Sequence, residues 1–332
     1  MTKIVVTGAA GQVGTELVPA LREVYGETEV LATDVRVPGT GTLLDGPFEA
    51  LDCLDAAAVA EVVRRHAADT IYHLAALLSA SAEQKPQLAY EVNMGTLVNV
   101  LEVARDAHCA VFTPSSIGAF GPGTPSDPAP QDTVQRPSTM YGVTKVAGEL
   151  LCDYYHSRFG VDTRGLRFPG LISHVAPPGG GTTDYAVEIY YDALESGRYT
   201  CFLSADTQLD MMYMPDAVRA AIEVMEADPS RLRHRNAFNV TAMQLTPATL
   251  ADAIRAEVPG FEIAYDVDPV RQRIAESWPR RIDDSAARDE WGWSHRYDLA
   301  SMTKDMLTHL KAKLGADAGH RKLGADAGHG RN

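Results

Sequence analysis

A doubly wound α/β fold with a mostly parallel sheet and a smaller C-terminal α/β lobe is predicted by three observations. Short β-branched runs alternate with amphipathic helical segments through the first half of the chain. A glycine-rich turn, Gly8-Ala-Ala-Gly11-Gln-Val-Gly14, joins the first run to the first helix. The alternation breaks after Pro169, where a loop rich in proline and glycine begins. Strands that alternate with helices build parallel βαβ units, and such sheets bind ligands beyond the carboxyl ends of their strands.

The elements follow in order. Lys3-Ile-Val-Val-Thr7 is a strand entering the glycine turn. Residues 12–25 read as a helix with Val13, Leu17, Ala20, Leu21 and Val24 on one face, and Pro19 inside it predicts a kink. Residues 29–33 form a second strand ending at Asp34. A helix over 56–66 is followed by a buried strand over 69–73, and a helix over 91–107 by a strand over 110–113. A helix over 140–158 and a strand over 162–167 complete the first half. Beyond Pro169 come a loop, Pro177-Pro-Gly-Gly-Gly181, and a helix over 184–196. Residues 211–214 read as a return to the sheet, and Pro215 suits the first turn of a helix reaching 226. The implied organisation is a nucleotide-binding domain over 1–170, with 209–240 returning to it. Residues 171–208 and 241–312 then form the second lobe.

The tail repeats itself. Lys313-Leu-Gly-Ala-Asp-Ala-Gly-His320 recurs as Lys322-Leu-Gly-Ala-Asp-Ala-Gly-His329, and 313–332 is expected to be a disordered repeat tail with no metal at its histidines.

Composition excludes several classes. At 332 residues with 45% hydrophobic content, the chain can bury a large core. A net charge of −14 argues against nucleic-acid partners and anionic membranes. No apolar run is long enough to span a bilayer, and no basic stretch leads into an apolar signal. Cys53, Cys109, Cys152 and Cys201 stand singly, with no metal or redox spacing, as expected in a reducing cytoplasm.

Gly8, Gly11 and Gly14 follow a strand and open a helix, and Gln12 and Val13 lie in the same turn. Glycines let the backbone approach a pyrophosphate, which the helix N-terminus then receives. Asp34 ends the second strand about 20 residues on, the place of the acid that hydrogen-bonds ribose hydroxyls and disfavours a 2′-phosphate. NAD is the expected cofactor, with Arg36 nearby softening the preference over NADP. Tyr141-Gly-Val-Thr-Lys145 places a phenol and an ammonium on one helix face. A cation near the phenol, with the positive nicotinamide, draws it toward ionisation and makes it a general base for an alcohol. Asp184 has two readings: an acceptor for a substrate ammonium, or an N-cap of the helix it precedes.

These motifs resemble the extended short-chain dehydrogenase/reductase family, which implies a Rossmann-like fold. The likeness rests on the glycine spacing, Leu51-Asp-Cys-Leu-Asp55, His73-Leu-Ala-Ala76, Asn93-Met-Gly-Thr-Leu-Val-Asn99, Ser115-Ser-Ile-Gly-Ala-Phe-Gly121, Tyr141 and Lys145. It implies cofactor roles for Asp52 at the adenine, for Leu74, Ala75 and Ala76 at the ribose and pyrophosphate, and for Lys145 at the nicotinamide ribose. Asn93 and Phe168 fall in the implied cofactor site as well. A narrower resemblance is to the short-chain type of L-threonine 3-dehydrogenase. It rests on His73-Leu-Ala-Ala-Leu-Leu-Ser79, Ser138-Thr-Met-Tyr-Gly-Val-Thr-Lys145, Pro178-Gly-Gly-Gly-Thr-Thr-Asp-Tyr-Ala186, Met211-Met-Tyr-Met-Pro-Asp216 and Ser277-Trp-Pro-Arg-Arg-Ile-Asp-Asp284, and it runs to about residue 312.

That resemblance implies NAD-dependent oxidation of the L-threonine β-hydroxyl to 2-amino-3-oxobutyrate. Tyr141 is then the base, Lys145 its partner, and a serine the hydrogen-bond donor to the alkoxide. The family pattern counts back to Ser116, and the adjacent Ser115 remains an alternative. Ser79, Thr182 and Thr183 are implied substrate contacts beside Asp184. Two rivals stand against this expectation. One is a nucleotide-sugar epimerase or dehydratase using Arg271, Arg273, Arg280 and Arg281 on a diphosphate. The other is an NAD-binding protein without chemistry. The helices over 91–107 and 140–158 carry wide apolar faces, which relatives pair across a two-fold axis, so a homodimer is expected.

Overall fold

The structure, a computed structural model, describes residues 2–39, 41–178 and 181–327, with side chains as far as residue 315. The first half builds β1 (Ile4–Thr7), α1 (Gly14–Tyr25), β2 (Val30–Asp34), β3 (Phe48–Ala50), α2 (Ala56–His66) and β4 (Thr70–His73). Next come α3 (Ser79–Gln84), α4 (Pro86–Ala107), β5 (Ala110–Ser116), α5 (Met140–Phe159), β6 (Thr163–Phe168) and β7 (Gly170–Ile172). The second half adds α6 (Tyr185–Glu195), β8 (Arg198–Cys201), β9 (Leu209–Tyr213), α7 (Met214–Glu226), β10 (Phe238–Asn239), β11 (Met243–Leu245) and α8 (Pro247–Glu257). It closes with β12 (Glu262–Tyr265), α9 (Pro269–Glu276), α10 (Ser285–Trp291) and α11 (Leu299–Ala327).

A seven-stranded sheet in the order β10-β6-β5-β4-β1-β2-β3 forms the centre, and all its pairings are parallel. Both faces are covered. On one, Leu17, Val18 and Leu21 of α1 pack with Ala217, Ala220 and Val224 of α7 over Ile4, Val6, Tyr72 and Phe112. On the other, Val59 and Val63 of α2, Leu97 and Leu101 of α4 and Cys152 of α5 cover Val5, Ile71 and Val111. Strands buried on both sides read as continuous apolar runs rather than alternating ones, as Ile4-Val-Val-Thr7 does. The first turn of α2 is fixed by Asp55, whose carboxylate accepts from the amides of Ala57 and Ala58 at 3.0 Å each.

Several boundaries differ from expectation. Helix α1 begins at Gly14 and continues through Pro19. Helix α4 begins five residues earlier than its apolar periodicity indicates, with Pro86 at its first turn. The segment expected to re-enter the main sheet, β9, lies instead between β7 and β11 in a separate three-stranded sheet. The strand that does return is β10, which pairs Phe238 with Leu166. Residues further on also serve the first half: Ala286, Ala287 and Trp293 join the core beneath α1 and α7.

The second lobe packs α6, α8 and α11 around Tyr185, Ile189, Tyr190, Leu250 and Met306, with β8 and β12 as a two-stranded parallel sheet. The repeat expected to be a disordered tail continues α11 as far as Ala327. Its Ala, Lys and Leu residues favour that extension. Residues 328–332, with His329, and the side chain of His320 lie outside the described residues. Among the described residues, no helix is long and apolar enough to cross a membrane.

Candidate active site

The candidate site lies along the carboxyl ends of β1, β2, β4, β5 and β6. Its first wall is the glycine turn. Gly8 holds φ at +70°, and a Cβ placed there would meet the amide nitrogen of Ala75 at 2.5 Å. Only glycine lets this turn lie against the strand exit Leu74-Ala75-Ala76. A Cβ on Gly14 would meet the Ala9 carbonyl oxygen at 2.5 Å, so the start of α1 is packed equally close. Gln12 accepts through its carbonyl from the Thr15 hydroxyl at 3.1 Å, and Val13 is the cap position of α1. The positive end of α1 therefore opens beside a closely packed glycine turn.

Asp34 is buried at the end of β2. Its Oδ2 accepts from the Ala10 amide at 3.0 Å and its Oδ1 from the Arg36 amide at 2.9 Å. Each oxygen keeps acceptor capacity for a ribose hydroxyl. Arg36 folds over the same edge and donates to the Ala10 carbonyl at 3.2 Å. Asp52 sits in an exposed turn, with Oδ1 accepting from the Leu54 amide at 2.9 Å. The glycine cradle, the acid at the end of β2 and the helix N-terminus together fit a dinucleotide.

Leu74, Ala75, Ala76, Asn93, Ser115 and Lys145 line one cavity. The Asn93 side chain is nonetheless committed to structure. Its oxygen accepts from the Leu77 amide at 2.7 Å, while its nitrogen donates to the Leu77 carbonyl at 3.2 Å and to the Thr144 hydroxyl at 3.1 Å. It pins the strand exit to α5. His73 is another fixed support that the sequence reading did not assign. Its ring nitrogens lie 2.8 Å from the Thr7 hydroxyl and 3.3 Å from that of Thr96, and burial pushes it down to about 3.

Tyr141 and Lys145 open α5, and the Thr139 hydroxyl caps this helix by accepting from the Gly142 amide at 3.1 Å. A Cβ on Gly142 would lie 2.2 Å from the Gly118 carbonyl oxygen. The glycine after the tyrosine thus lets α5 settle onto the short turn that follows β5, bringing Tyr141 against Ser116. The Ser116 hydroxyl lies beside Tyr141, where it favours the ionised phenol, and accepts from the Gly118 amide at 3.1 Å. Lys145 Nζ donates to the Pro114 carbonyl at 2.7 Å and lies 5.4 Å from the centre of the Tyr141 ring.

The two serines part company here. Ser115 points to the other side of β5, where its hydroxyl donates to Glu149. Glu149 is held in turn by Arg167 at 2.8 Å and by Gln135 at 2.8 Å. Ser115 therefore braces the sheet against α5, as strand alternation requires of one member of an adjacent pair. Glu149 also lies four residues past Lys145 on the same helix, where its charge favours the protonated lysine through space.

The electrostatics correct one expectation. Burial pushes the Tyr141 phenol up to about 12, opposed by the hydrogen bond with Ser116, and Lys145 does not figure in that balance. Burial also drives Lys145 down from the usual 10.5 to about 8. The protein alone thus holds both groups nearer neutrality than the spacing implied.

The remaining candidates come from the edges. Phe168 ends β6 as the register partner of Ser116. Thr183 packs where a Cβ on Gly170 would sit, two residues beyond Phe168, and Thr182 beside it is buried. Ser79 starts α3, which Glu83 ties to α5 by accepting from the Met140 amide at 2.7 Å. Asp184 stands at the cap position of α6 without a capping side-chain bond; its Oδ2 accepts from the Gly181 amide at 2.8 Å. Of the four arginines considered for a diphosphate, Arg271 stacks on Phe202 at 4.1 Å and Arg281 pairs with Asp127 at 2.9 Å. Among the described residues, no cluster of three or more His, Cys, Asp or Glu side chains is arranged for a metal.

Fold and site together define an NAD-dependent α/β enzyme, and the chain belongs to the NAD dependent epimerase/dehydratase family, matching it over residues 4–241. It is 56% identical over 318 residues to an uncharacterized epimerase/dehydratase of Staphylococcus saprophyticus, covering 96% of this chain and 99% of that one. Among solved structures, an L-threonine dehydrogenase from Clostridium difficile superposes with a TM-score of 0.93 at 56% identity, over 94% of this chain and 98% of that one. A GalE-like L-threonine dehydrogenase from Cupriavidus necator, in its holo form, gives 0.90 at 51% identity over 93% and 99%.

Proposed function

We propose that this enzyme is an L-threonine 3-dehydrogenase, oxidising the β-hydroxyl of L-threonine to 2-amino-3-oxobutyrate. The observation that carries the reading is the Ser116–Tyr141–Lys145 grouping at the carboxyl end of β5. The substrate is supported by 51–56% identity, over nearly the whole chain, to proteins described as L-threonine dehydrogenases.

NAD, when bound, supplies the hydride acceptor and a positive ring. The protein's part is proton handling and orientation. Tyr141 as phenolate accepts the hydroxyl proton of the substrate, and Ser116 donates to the oxygen as it becomes a carbonyl. Preorganised donation of this kind lowers the barrier because no solvent has to reorganise. Lys145, fixed by the Pro114 carbonyl at 2.7 Å, offers its remaining protons to the ribose edge. Asp34 holds the adenosine ribose, Asp52 the adenine edge, and Gly8, Gly11, Gln12, Val13 and Gly14 the pyrophosphate. Leu74, Ala75, Ala76, Asn93 and Phe168 shape the groove between them. Thr182, Thr183 and Ser79 are the proposed donors to the substrate carboxylate, with Asp184 accepting from its ammonium. Ser115 supports the site from behind.

A homodimer through α4 and α5 and a cytoplasmic location belong to the same reading. Leu88, Tyr90, Val143, Leu150 and Tyr154 expose apolar surface on those two helices, and all four cysteines are buried free thiols.

The deciding experiment follows NADH absorbance with L-threonine, L-serine and a UDP-sugar in parallel. NADH appears with NAD and L-threonine and is lost in Tyr141→Phe. Epimerisation of the UDP-sugar with no signal from L-threonine would sink the assignment.

A further inference from the structure

Beyond the catalytic group, a second polar assembly links the two halves of the molecule. Ser173 follows β7 directly and is fully buried. Its hydroxyl donates to Glu16 at 2.5 Å and accepts from the amides of Val175 and Ala176 at 3.0 and 3.1 Å. Glu16 lies in the first turn of α1, two residues after Gly14. Burial pushes its carboxyl up to about 7. An acid that is costly to bury persists when its oxygen has a fixed partner, and Ser173 is that partner.

The same stretch is gripped from the second lobe. His174 Nδ1 lies 2.7 Å from the Tyr213 hydroxyl, which donates to Asp305 at 2.7 Å. The His174 ring stacks on His309 with centroids 4.1 Å apart. Lys313 donates to the Val175 carbonyl at 3.2 Å. Three consecutive residues are thus clamped between the helix that opens the cofactor groove and the terminal helix α11. A few residues further along the chain stand Thr182, Thr183 and Asp184.

We propose that Glu16 and Ser173 are positioning residues that tie the start of α1 to the segment carrying Thr182, Thr183 and Asp184, setting the substrate loop against the cofactor groove. The Ser173 hydroxyl folds the chain back through the two amides, and Glu16 fixes the orientation of that hydroxyl. Removing either frees the turn without touching the groups that receive the dinucleotide. The substrate named in the test rests on the threonine reading; the link itself does not.

Ser173→Ala and Glu16→Ala are each expected to raise KM for L-threonine about tenfold, with kcat changed by less than about threefold. NADH affinity, read by fluorescence titration, stays at the wild-type value in both. Glu16→Gln keeps an acceptor for the Ser173 hydroxyl and retains the wild-type KM. Amide hydrogen exchange over residues 173–187 of the NAD-free protein accelerates about tenfold in the alanine variants and not in Glu16→Gln. Wild-type KM and wild-type exchange in both alanine variants overturn the proposal. So does an equal loss of threonine and NADH binding, which marks general unfolding. Should the wild-type protein fail to oxidise L-threonine, the functional reading falls, and exchange together with NADH affinity still decides the link.

Discussion

Ser115 and Ser116 are adjacent and chemically identical, yet their neighbours assign them different work. Ser116→Ala removes the donor beside Tyr141 and should lower kcat for L-threonine by about 10²–10³-fold with little change in melting temperature. Ser115→Ala leaves the buried Glu149–Arg167 pair one bond short. It should cost about 1–3 kcal/mol in urea unfolding while largely sparing kcat. Lys145 gives a prediction of opposite sign. Its folded-state value of about 8 lies below the ordinary 10.5, so the native state disfavours the bound proton. Below pH 8 both folded and unfolded chains carry the proton and the penalty is complete. As pH rises from 8 toward 10.5 the native state sheds its proton first, and stability rises. Lys145→Met should therefore abolish NADH formation yet unfold at equal or higher temperature at pH 7. That advantage, on the order of 3 kcal/mol, should shrink as the pH approaches 10.5. For the wild type, kcat/KM should climb through the neutral and alkaline range, because burial raises the phenol and its base form grows with pH. A pH-independent rate would remove Tyr141 from the base role. At this scale Tyr141, Lys145, Asp34 and the glycines stood out as candidates by their spacing in the chain, and the structure brings Tyr141, Lys145 and Ser116 together. For the serine the family pattern pointed to Ser116, whereas strand alternation alone states only that one of the two must face away. Glu149, His73 and the Glu16–Ser173 pair were missed, since their meaning comes from partners 14 to 157 residues distant.

Helix α5 shows why an element matters as more than a carrier of side chains. Its first turn approaches the turn after β5 so closely that Gly142 cannot bear a Cβ. Gly142→Ala should push α5 outward, cost about 1–3 kcal/mol in thermal unfolding and cut kcat by more than tenfold by separating Tyr141 from Ser116. A wild-type rate in this variant would show that the close approach is not needed. Elements such as α2, with its strong apolar period, and α5 were legible almost to the residue. Those defined by context were not. The early start of α4 depends on Pro86 and the packing of α3, and the separate sheet of β7, β9 and β11 depends on pairings that no local pattern announces.

For the whole molecule, the exposed apolar side chains of α4 and α5 predict a symmetric pair. Sedimentation should give a dimer at micromolar concentration, and Leu150→Lys should shift it to monomer while NADH binding persists. A monomeric wild type would refute the pairing. The break after Pro169 pointed to a second lobe, and the chain passes back to the first half at β10 and again at Ala286, Ala287 and Trp293. That passage carries a consequence for biosynthesis. The edge of β6 is closed by Phe238, which leaves the ribosome about 70 residues later. At roughly 5–20 residues per second, the nascent domain spends several seconds with an open strand edge, a template for the wrong neighbour. Synthesis rate and chaperone occupancy over that interval should govern how much of this enzyme reaches its native state.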